Sequence, residues 1–572
     1  MTQLIRRRPL VDDSALPAEL PPRLRQIYAS RGVTAPAELN RQTSGLLPPA
    51  GLKGLSAALS LLETALRQQQ RILIVGDFDA DGATSTALMV LALRAFGAHQ
   101  VAFLVPNRFE YGYGLSPEIV TLAVQRQAQL LITVDNGISS LAGVAAAKAA
   151  GMAVLVTDHH LPGPELPAAD AIINPNQADC GFGSGALAGV GVAFYLMAAL
   201  RSHLDKLGWF ADKPAVNVAQ WLDLVALGTV ADVVPLDANN RILVHQGLQR
   251  IRAGQCRPGL RALCEVAGRT LSQLTASDLG FFLGPRLNAV GRLDDMSLGI
   301  DCLLCDDMNR ARTLASEMDS LNQERKEIEQ SMQQEALAGL QSLDFGAEPP
   351  AGLVLYRPDW HQGVVGLVAS RIKERFHRPV IAFAEAGEGE LKGSGRSVPG
   401  LHLRDLLERL DTLQPGLISK FGGHAMAAGL SLPSAHLPAF EQQFVTLAEE
   451  WLAPELRTGY WLSDGELAPD ELTLSLAEAL RDGGPWGQAF PEPAFDGRFR
   501  LLAQRLVGAK HLKMQVQPEA GGPTLDAIAF NVDLARWPDA SVQWVALGYR
   551  LDINEWRGNR NVQLLVSVLN PL

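Results

Sequence analysis

The sequence has five cysteines in 572 residues, too few and too irregularly spaced for a disulfide-stapled fold. Cys302 and Cys305 form a lone C-x-x-C with no second pair at ligand spacing, so two helix-face thiols in a reducing compartment are expected in preference to a zinc site. Long hydrophobic runs are also missing. The nearest candidate, Gly185–Leu200, falls short of the ~20 residues of a membrane span and carries three glycines. Arg6, Arg7 and Arg8 are followed by Asp12 and Asp13, where a signal peptide needs an apolar segment. A soluble cytoplasmic protein without membrane contact is therefore expected. An excess of positive charge is absent too. The formal net charge of −11 argues against a basic coat for nucleic acid. It leaves room for a metal-dependent phosphodiesterase, which gathers carboxylates at its centre and needs basic residues only locally.

What is present is an ordinary globular composition, 47% apolar and 19% charged, in a length that suggests about three or four folding units. Residues 1–70 read as a mostly helical, proline-interrupted lead-in. From Arg71 the pattern changes. Ile72–Val75, Val101–Val105, Leu130–Val134 and Ala153–Val156 are short continuous apolar runs rich in β-branched residues, as buried parallel strands should be. Helical segments between them predict a doubly wound α/β domain over 71–300. Asp306–Ala338 has neither glycine nor proline and predicts one long connecting helix within 301–345. Arg325 interrupts its apolar seam, so a helix spanning two domains is expected in preference to a coiled-coil dimer arm; a monomer is expected. A smaller α/β domain is expected over 346–455, with two Gly-rich turns. Over 456–572, alternating short strands predict a small β-barrel.

The acids fall where the chemistry should be. Asp77, Asp79 and Asp81 follow the Ile72–Val75 run, Asp135-Asn136-Gly137 follows Leu130–Val134, and Asp158-His159-His160 follows Ala153–Val156. In an open α/β sheet the carboxyl ends of parallel strands share one edge, where ligands bind. Carboxylates from three strands would repel one another in one crevice without a cation. Oxygen donors with one or two imidazoles suit Mg²⁺ or Mn²⁺. Asp232 offers a further ligand, enough for two ions about 4 Å apart. An EF-hand reading of Asp77–Gly82 fails because its twelfth position is Leu88 and a strand precedes it. An aspartyl-phosphate nucleophile would leave Asp135 and the histidines without a role. Each acid alone could be a helix cap.

Taken together, Gly76–Ser85 (GDFDADGATS), Asp135-Asn136-Gly137, Asp158-His159-His160, Gly228–Pro235 (GTVADVVP), Pro285–Leu293 (PRLNAVGRL) and Phe421–Gly429 (FGGHAMAAG) resemble the DHH phosphoesterase superfamily, and within it the RecJ exonucleases. The resemblance runs from about Ile72 to the C-terminus. It implies a DHH catalytic domain, a DHHA1 domain and a C-terminal OB-like barrel. It also implies a 5′→3′ exonuclease of single-stranded DNA with two Mn²⁺ or Mg²⁺ ions, in repair and recombination, with a single-strand-binding protein and a helicase as partners. By position, Asp77 and Asp79 would hold one metal, Asp81, His159 and Asp232 the other, and Asp135 would bridge them. His160 would lie against the scissile phosphate. The superfamily often has a histidine where Asp77 stands.

Arg286, Asn288 and Arg292 are expected to grip the strand. In the DHHA1 part, Arg396, Ser397, Gly422, Gly423 and His424 are expected at backbone phosphates, the glycines letting N–H groups approach. Arg108, Tyr111 and Tyr113 could stack on or bond a nucleotide, or could pack a turn. Lys510, Lys513, Arg550, Arg557 and Arg560 are candidate barrel contacts to DNA, whereas the C-terminal tryptophans are expected mainly in the core. The alternative enzyme is a DHH phosphodiesterase of short oligonucleotides or cyclic dinucleotides. A non-catalytic strand-binding subunit is disfavoured by intact acids at every motif.

Overall fold

The computed structural model describes residues 4–107, 114–212, 216–342, 349–387, 389–556 and 558–572. Arg108, Tyr111, Tyr113 and Arg557 of the sequence expectation lie outside the described residues. Contacts group the chain into two units, one built on Leu321–Trp461, the other on Ile5–Ser320 and Leu462–Leu572.

The larger unit holds a parallel sheet of β1 (Ile72–Val75), β2 (Val101–Leu104), β3 (Leu130–Val134), β4 (Ala153–Thr157) and β5 (Ala171–Ile173). Their order is β2-β1-β3-β4-β5, with every neighbouring pair parallel. β1 and β3 are buried along their whole length, which is why they read as continuous apolar runs. The strand order reverses direction at β1, so the crevice for a ligand lies between the carboxyl ends of β1 and β3. Helix α1 (Ala80–Ala95) starts at once after β1 because the Asp79 carboxylate accepts the N–H groups of Asp81 and Gly82. It is buried nearly all round, as an evenly apolar helix must be. Helices α2 (Pro117–Gln125), α3 (Leu141–Ala149), α4 (Gly189–Lys206), α5 (Leu222–Ala231), α6 (Ala238–Arg252) and α7 (Gly284–Leu293) complete the domain.

The lead-in has two helices, Pro22–Ser30 and Leu55–Arg67, with short 3₁₀ turns between them. It packs on the far end of the chain. Arg31, its guanidinium buried, pairs with buried Asp464, and Arg23 pairs with Glu471 at 2.6 Å. The Tyr28 hydroxyl donates to the Gly483 carbonyl. Tyr28, Trp486 and Phe490 stack at 5.1–6.2 Å between centroids, and the Arg241 guanidinium lies 4.3 Å over Phe490. Beyond this weld, β11 (Phe495–Val507), β12 (His511–Pro518), β13 (Leu525–Ala529), β14 (Trp544–Trp556) and β15 (Asn559–Pro571) close a barrel in the order β11-β12-β13-β15-β14. Of the basic residues expected on DNA, Lys513 pairs with Asp526, Arg550 with Glu492, and Arg560 with Glu478 and Glu555. Lys510 is exposed.

The long helix α8 spans Met308–Ser342. Arg325, which breaks its apolar seam, is buried beside Glu329 and Asn322. In the smaller unit, β6 (Leu353–Tyr356), β7 (Val380–Gly387), β8 (Glu390–Arg396), β9 (Lys420–Gly423) and β10 (Ala427–Pro433) form a mixed sheet in the order β9-β10-β8-β7-β6. The two segments expected as Gly-rich turns are therefore strands. Packing explains the first: a Cβ on Gly393 would lie 2.5 Å from Phe383, and one on Gly395 would lie 2.6 Å from Leu403. These glycines make room for the core. Among the described residues no single helix is long and apolar enough to cross a membrane.

Candidate metal centre

Four strand ends deliver the site. Past β1 come buried Asp77, then Asp79 and buried Asp81; past β3, buried Asp135; past β4, buried Asp158 with His159 and His160. Past β5 stand Asn174 and Asn176, whose amides donate to the carbonyls of His160 and His159. Asp232 arrives from the end of α5. Ligand atoms of Asp77, Asp79 and Asp135 lie within 4.8 Å of one another, as do those of Asp81, His159 and Asp232, and those of Asp135, His159 and His160. His159 Nε2 is 3.0 Å from Asp135 Oδ1, 3.6 Å from Asp232 Oδ2 and 3.9 Å from Asp81 Oδ2.

Backbone N–H groups hold Asp79, Asp81 and Asp158. Asp81 accepts the N–H groups of Gly189 and Val190 at 2.6 and 2.9 Å, where the start of α4 places its positive dipole end. Asp158 accepts from Ile138 N–H and from His160 Nδ1 at 2.9 and 2.7 Å, which fixes the orientation of the imidazole. Asp135 sits at φ +62°, a left-handed conformation that aspartate tolerates better than most residues. The Asn136 amide donates to the carbonyls of Val75 and Val134, tying β1 to β3 directly beneath the acids.

The electrostatics demand compensation. Burial, reinforced by Asp232 and Asp79, pushes Asp81 well above the usual carboxylate range. Burial with Asp81, Asp79, Asp232 and Asp77 nearby does the same to Asp135. Burial, then Asp79, raises Asp232 to about 7. Burial opposes charge on His160, but the hydrogen bond and charge of Asp158 outweigh it and lift the imidazole to about 9. Asp158, although buried, is held below the usual range by His160 and by Ile138 N–H. Asp232 Oδ2 is buried and accepts no hydrogen bond from the described residues. Crowded hard oxygens with imidazole nitrogens fit a pair of divalent cations of the Mg²⁺ or Mn²⁺ kind.

Helix α7, carrying Arg286, Asn288 and Arg292, lies against the Asp77–Asp79 turn: a Cβ on Gly291 would collide with the Phe78 carbonyl oxygen. Asn288 uses its amide oxygen to accept Ala80 N–H, so it also anchors the start of α1. Arg286 is buried, donates to the Phe282 carbonyl and pairs with Asp319 at 2.8 Å, ties that the sequence alone does not show. Arg292 is half-buried. In the smaller unit, Arg396 at the end of β8 donates to Ser394 Oγ and the Gly395 carbonyl. Burial lowers its pKa, and no described carboxylate forms a salt bridge with it. Ser397 is buried, with its hydroxyl donating to the Leu401 carbonyl and its N–H to the Met426 carbonyl. Gly422 and His424 are exposed, and Gly423 adopts φ +145° where a Cβ would strike Ala427 and Ala428.

Sequence reasoning missed Gly189, Val190, Asn174 and Asn176. The Asn-Pro-Asn after the Ala171–Ile173 run was the available signal, a polar strand end beside three acidic ones. Gly189 has a steric reason as well, since a Cβ there would sit 2.7 Å from Asp135 Cβ. Gly189→Ala is expected to lower turnover at least about tenfold, ~1.4 kcal/mol in barrier, with a raised Mn²⁺ requirement in a metal titration.

Residues 71–229 match the DHH family, N-terminal domain, residues 350–453 the DHHA1 domain, and residues 463–567 the RecJ OB domain. The chain is 62% identical over 571 residues to the single-stranded-DNA-specific exonuclease RecJ of Escherichia coli, covering 99% of each. Its structure resembles that of Thermus thermophilus RecJ in complex with Mn²⁺, with a TM-score of 0.81 and 31% identity, over 100% of this chain and 80% of the other. The Mg²⁺ complex from the same organism aligns with a TM-score of 0.76 and 29% identity over 100% and 79%.

Proposed function

The chain belongs to the RecJ family of single-stranded-DNA-specific exonucleases, and from that premise we propose how its own residues divide the work. It is a metal-dependent hydrolase of single-stranded DNA in repair and recombination, here taken to release nucleotides from the 5′ end. The observation that carries the reading is the interlocking of three ligand clusters through Asp135 and His159. Asp77, Asp79 and Asp135 would hold one ion, and Asp81, His159, Asp232 and Asp135 the other. When bound, Mn²⁺ or Mg²⁺ supplies Lewis acidity toward water and the phosphoryl oxygens.

The protein's part is preorganisation. Backbone amides at the start of α4 fix Asp81, the capping bonds fix Asp79, and Asp158 orients His160 so that its other ring nitrogen can face a phosphate oxygen. In the smaller unit, Arg396, Gly422, Gly423 and His424 are proposed at the sugar-phosphate backbone; a half-buried guanidinium with no described carboxylate partner is suited to an anion. Arg292 and the Asn288 amide nitrogen are proposed contacts beside the metals. Interaction with a single-strand-binding protein and a helicase, a cytoplasmic location and a monomeric state complete the proposal.

End-labelled single-stranded DNA, duplex DNA and a cyclic dinucleotide, each with Mn²⁺, Mg²⁺ or EDTA, test this reading. Nucleotide release from the 5′ end of the single strand alone, abolished by EDTA, is expected. Preference for the cyclic dinucleotide would favour the small-substrate phosphodiesterase. The histidines should also separate. His159→Ala is expected to recover part of its activity as Mn²⁺ is raised, because the lost group is a ligand. His160→Ala should not recover, because its partner is the substrate; equal rescue of both would refute the division.

A further inference from the structure

Beside the carboxylates stand apolar side chains that the metal chemistry does not use. Val233, next after Asp232, is 60% exposed at φ +65°, a conformation a β-branched residue adopts only under constraint. Phe281 is 77% exposed and sits in a π-helical turn, Leu279–Leu283. That turn is seated beside the same ligand, since Cβ atoms on Gly280 and Gly284 would lie 3.2 Å from Val230 and 3.1 Å from Ala231. Its neighbour Phe282 is already covered by the Arg269 guanidinium at 3.4 Å. Leu161, next after His160, is 63% exposed. Two rare backbone states, a π-turn and a left-handed valine, thus expose large apolar groups on the two segments that meet at the Asp232 end of α5. Such features persist when function requires them.

We propose that Phe281 and Val233 form a platform on which a nucleobase next to the reacting phosphodiester stacks. The inference rests on the exonuclease reading and extends it to how the strand is positioned. The occupant follows from the chemistry. A phosphate held at the carboxylates carries a base one sugar away, and the side chains of Phe281, Val233 and Leu161 offer no hydrogen-bonding group. They can therefore take any base by its face without reading its edge, as sequence-tolerant strand binding requires.

The test compares an oligothymidylate with the same oligomer carrying abasic residues at its three 5′-terminal positions. Binding is measured by anisotropy in EDTA, and KM with Mn²⁺. Phe281→Ala should weaken binding of the intact strand by about tenfold and leave the abasic strand unchanged, and Phe281→Tyr should restore the difference. Val233→Gly should raise the thermal midpoint by relieving the backbone while weakening the intact strand alone. Equal loss on both oligomers, or none on either, would overturn the platform. A parent protein that binds the intact strand yet fails to shorten it would instead overturn the exonuclease reading, because the binding difference in EDTA stands apart from turnover.

Discussion

Asp135→Asn is expected to reduce turnover by at least about a thousandfold, ~4 kcal/mol in barrier, while single-strand binding in EDTA stays within a few-fold of the parent. Asp135 is the acid that belongs both to the Asp77–Asp79 cluster and to the histidine cluster, so its loss would disturb both proposed metals at once. Asparagine is the informative replacement. At φ +62° an alanine would add backbone strain of about 1 kcal/mol or more, mixing a folding defect with the chemical one. Asparagine tolerates that conformation, keeps the volume beneath Gly189 and removes only the charge. Since burial and the neighbouring carboxylates already push Asp135 upward, neutralising it should leave the apo fold intact or slightly more stable. Single-turnover rates and a thermal scan on the same preparation measure the two effects separately. A turnover within about tenfold of the parent, ~1.4 kcal/mol, would remove Asp135 from the shared position.

The catalytic sheet and its acids were legible because their physical causes are local. A buried parallel strand must be a continuous apolar run, and a ligand set at its carboxyl end must follow that run closely, as Asp77, Asp135 and His159 do. What the sequence does not show is set by residues distant along the chain. Gly393 and Gly395 looked like turn glycines, yet Phe383 and Leu403 dictate their size. Ser397 and Arg286 carry phosphate-binding chemistry, but the sequence does not show which way a side chain faces, and both turn inward. Lys513, Arg550 and Arg560 read as a basic groove until their acidic partners are placed. Gly189 and Val190 act through backbone N–H groups, which no residue type advertises.

The weld between the two ends of the larger unit is the least legible feature, and it predicts the largest effect on stability. Asp464 falls at the start of the segment matching the RecJ OB domain, yet its buried partner Arg31 belongs to the lead-in. Removing one member of a buried pair leaves the other desolvated and uncompensated, at a cost of about 3–5 kcal/mol. Asp464→Ala is therefore expected to destabilise the unit by that amount in urea unfolding, well beyond the ~0.5 kcal/mol of a surface change at an inter-domain linker. Arg31→Met with Asp464→Leu should recover part of the loss, because both buried charges are gone and only the more exposed Arg8, 3.4 Å from Asp464, loses its partner. The same contacts govern truncation. A chain ending at Leu456 retains every proposed metal ligand but loses Asp464, Glu471, Gly483, Trp486 and Phe490, the groups against which Arg31, Arg23 and Tyr28 pack. With a total stability of only about 5–15 kcal/mol for a typical domain, it should be rapidly degraded in limited proteolysis and show no sharp thermal transition. A truncated chain as resistant to protease as the parent, and still active on DNA, would mean that the barrel segment is an independent module and the weld merely a surface contact.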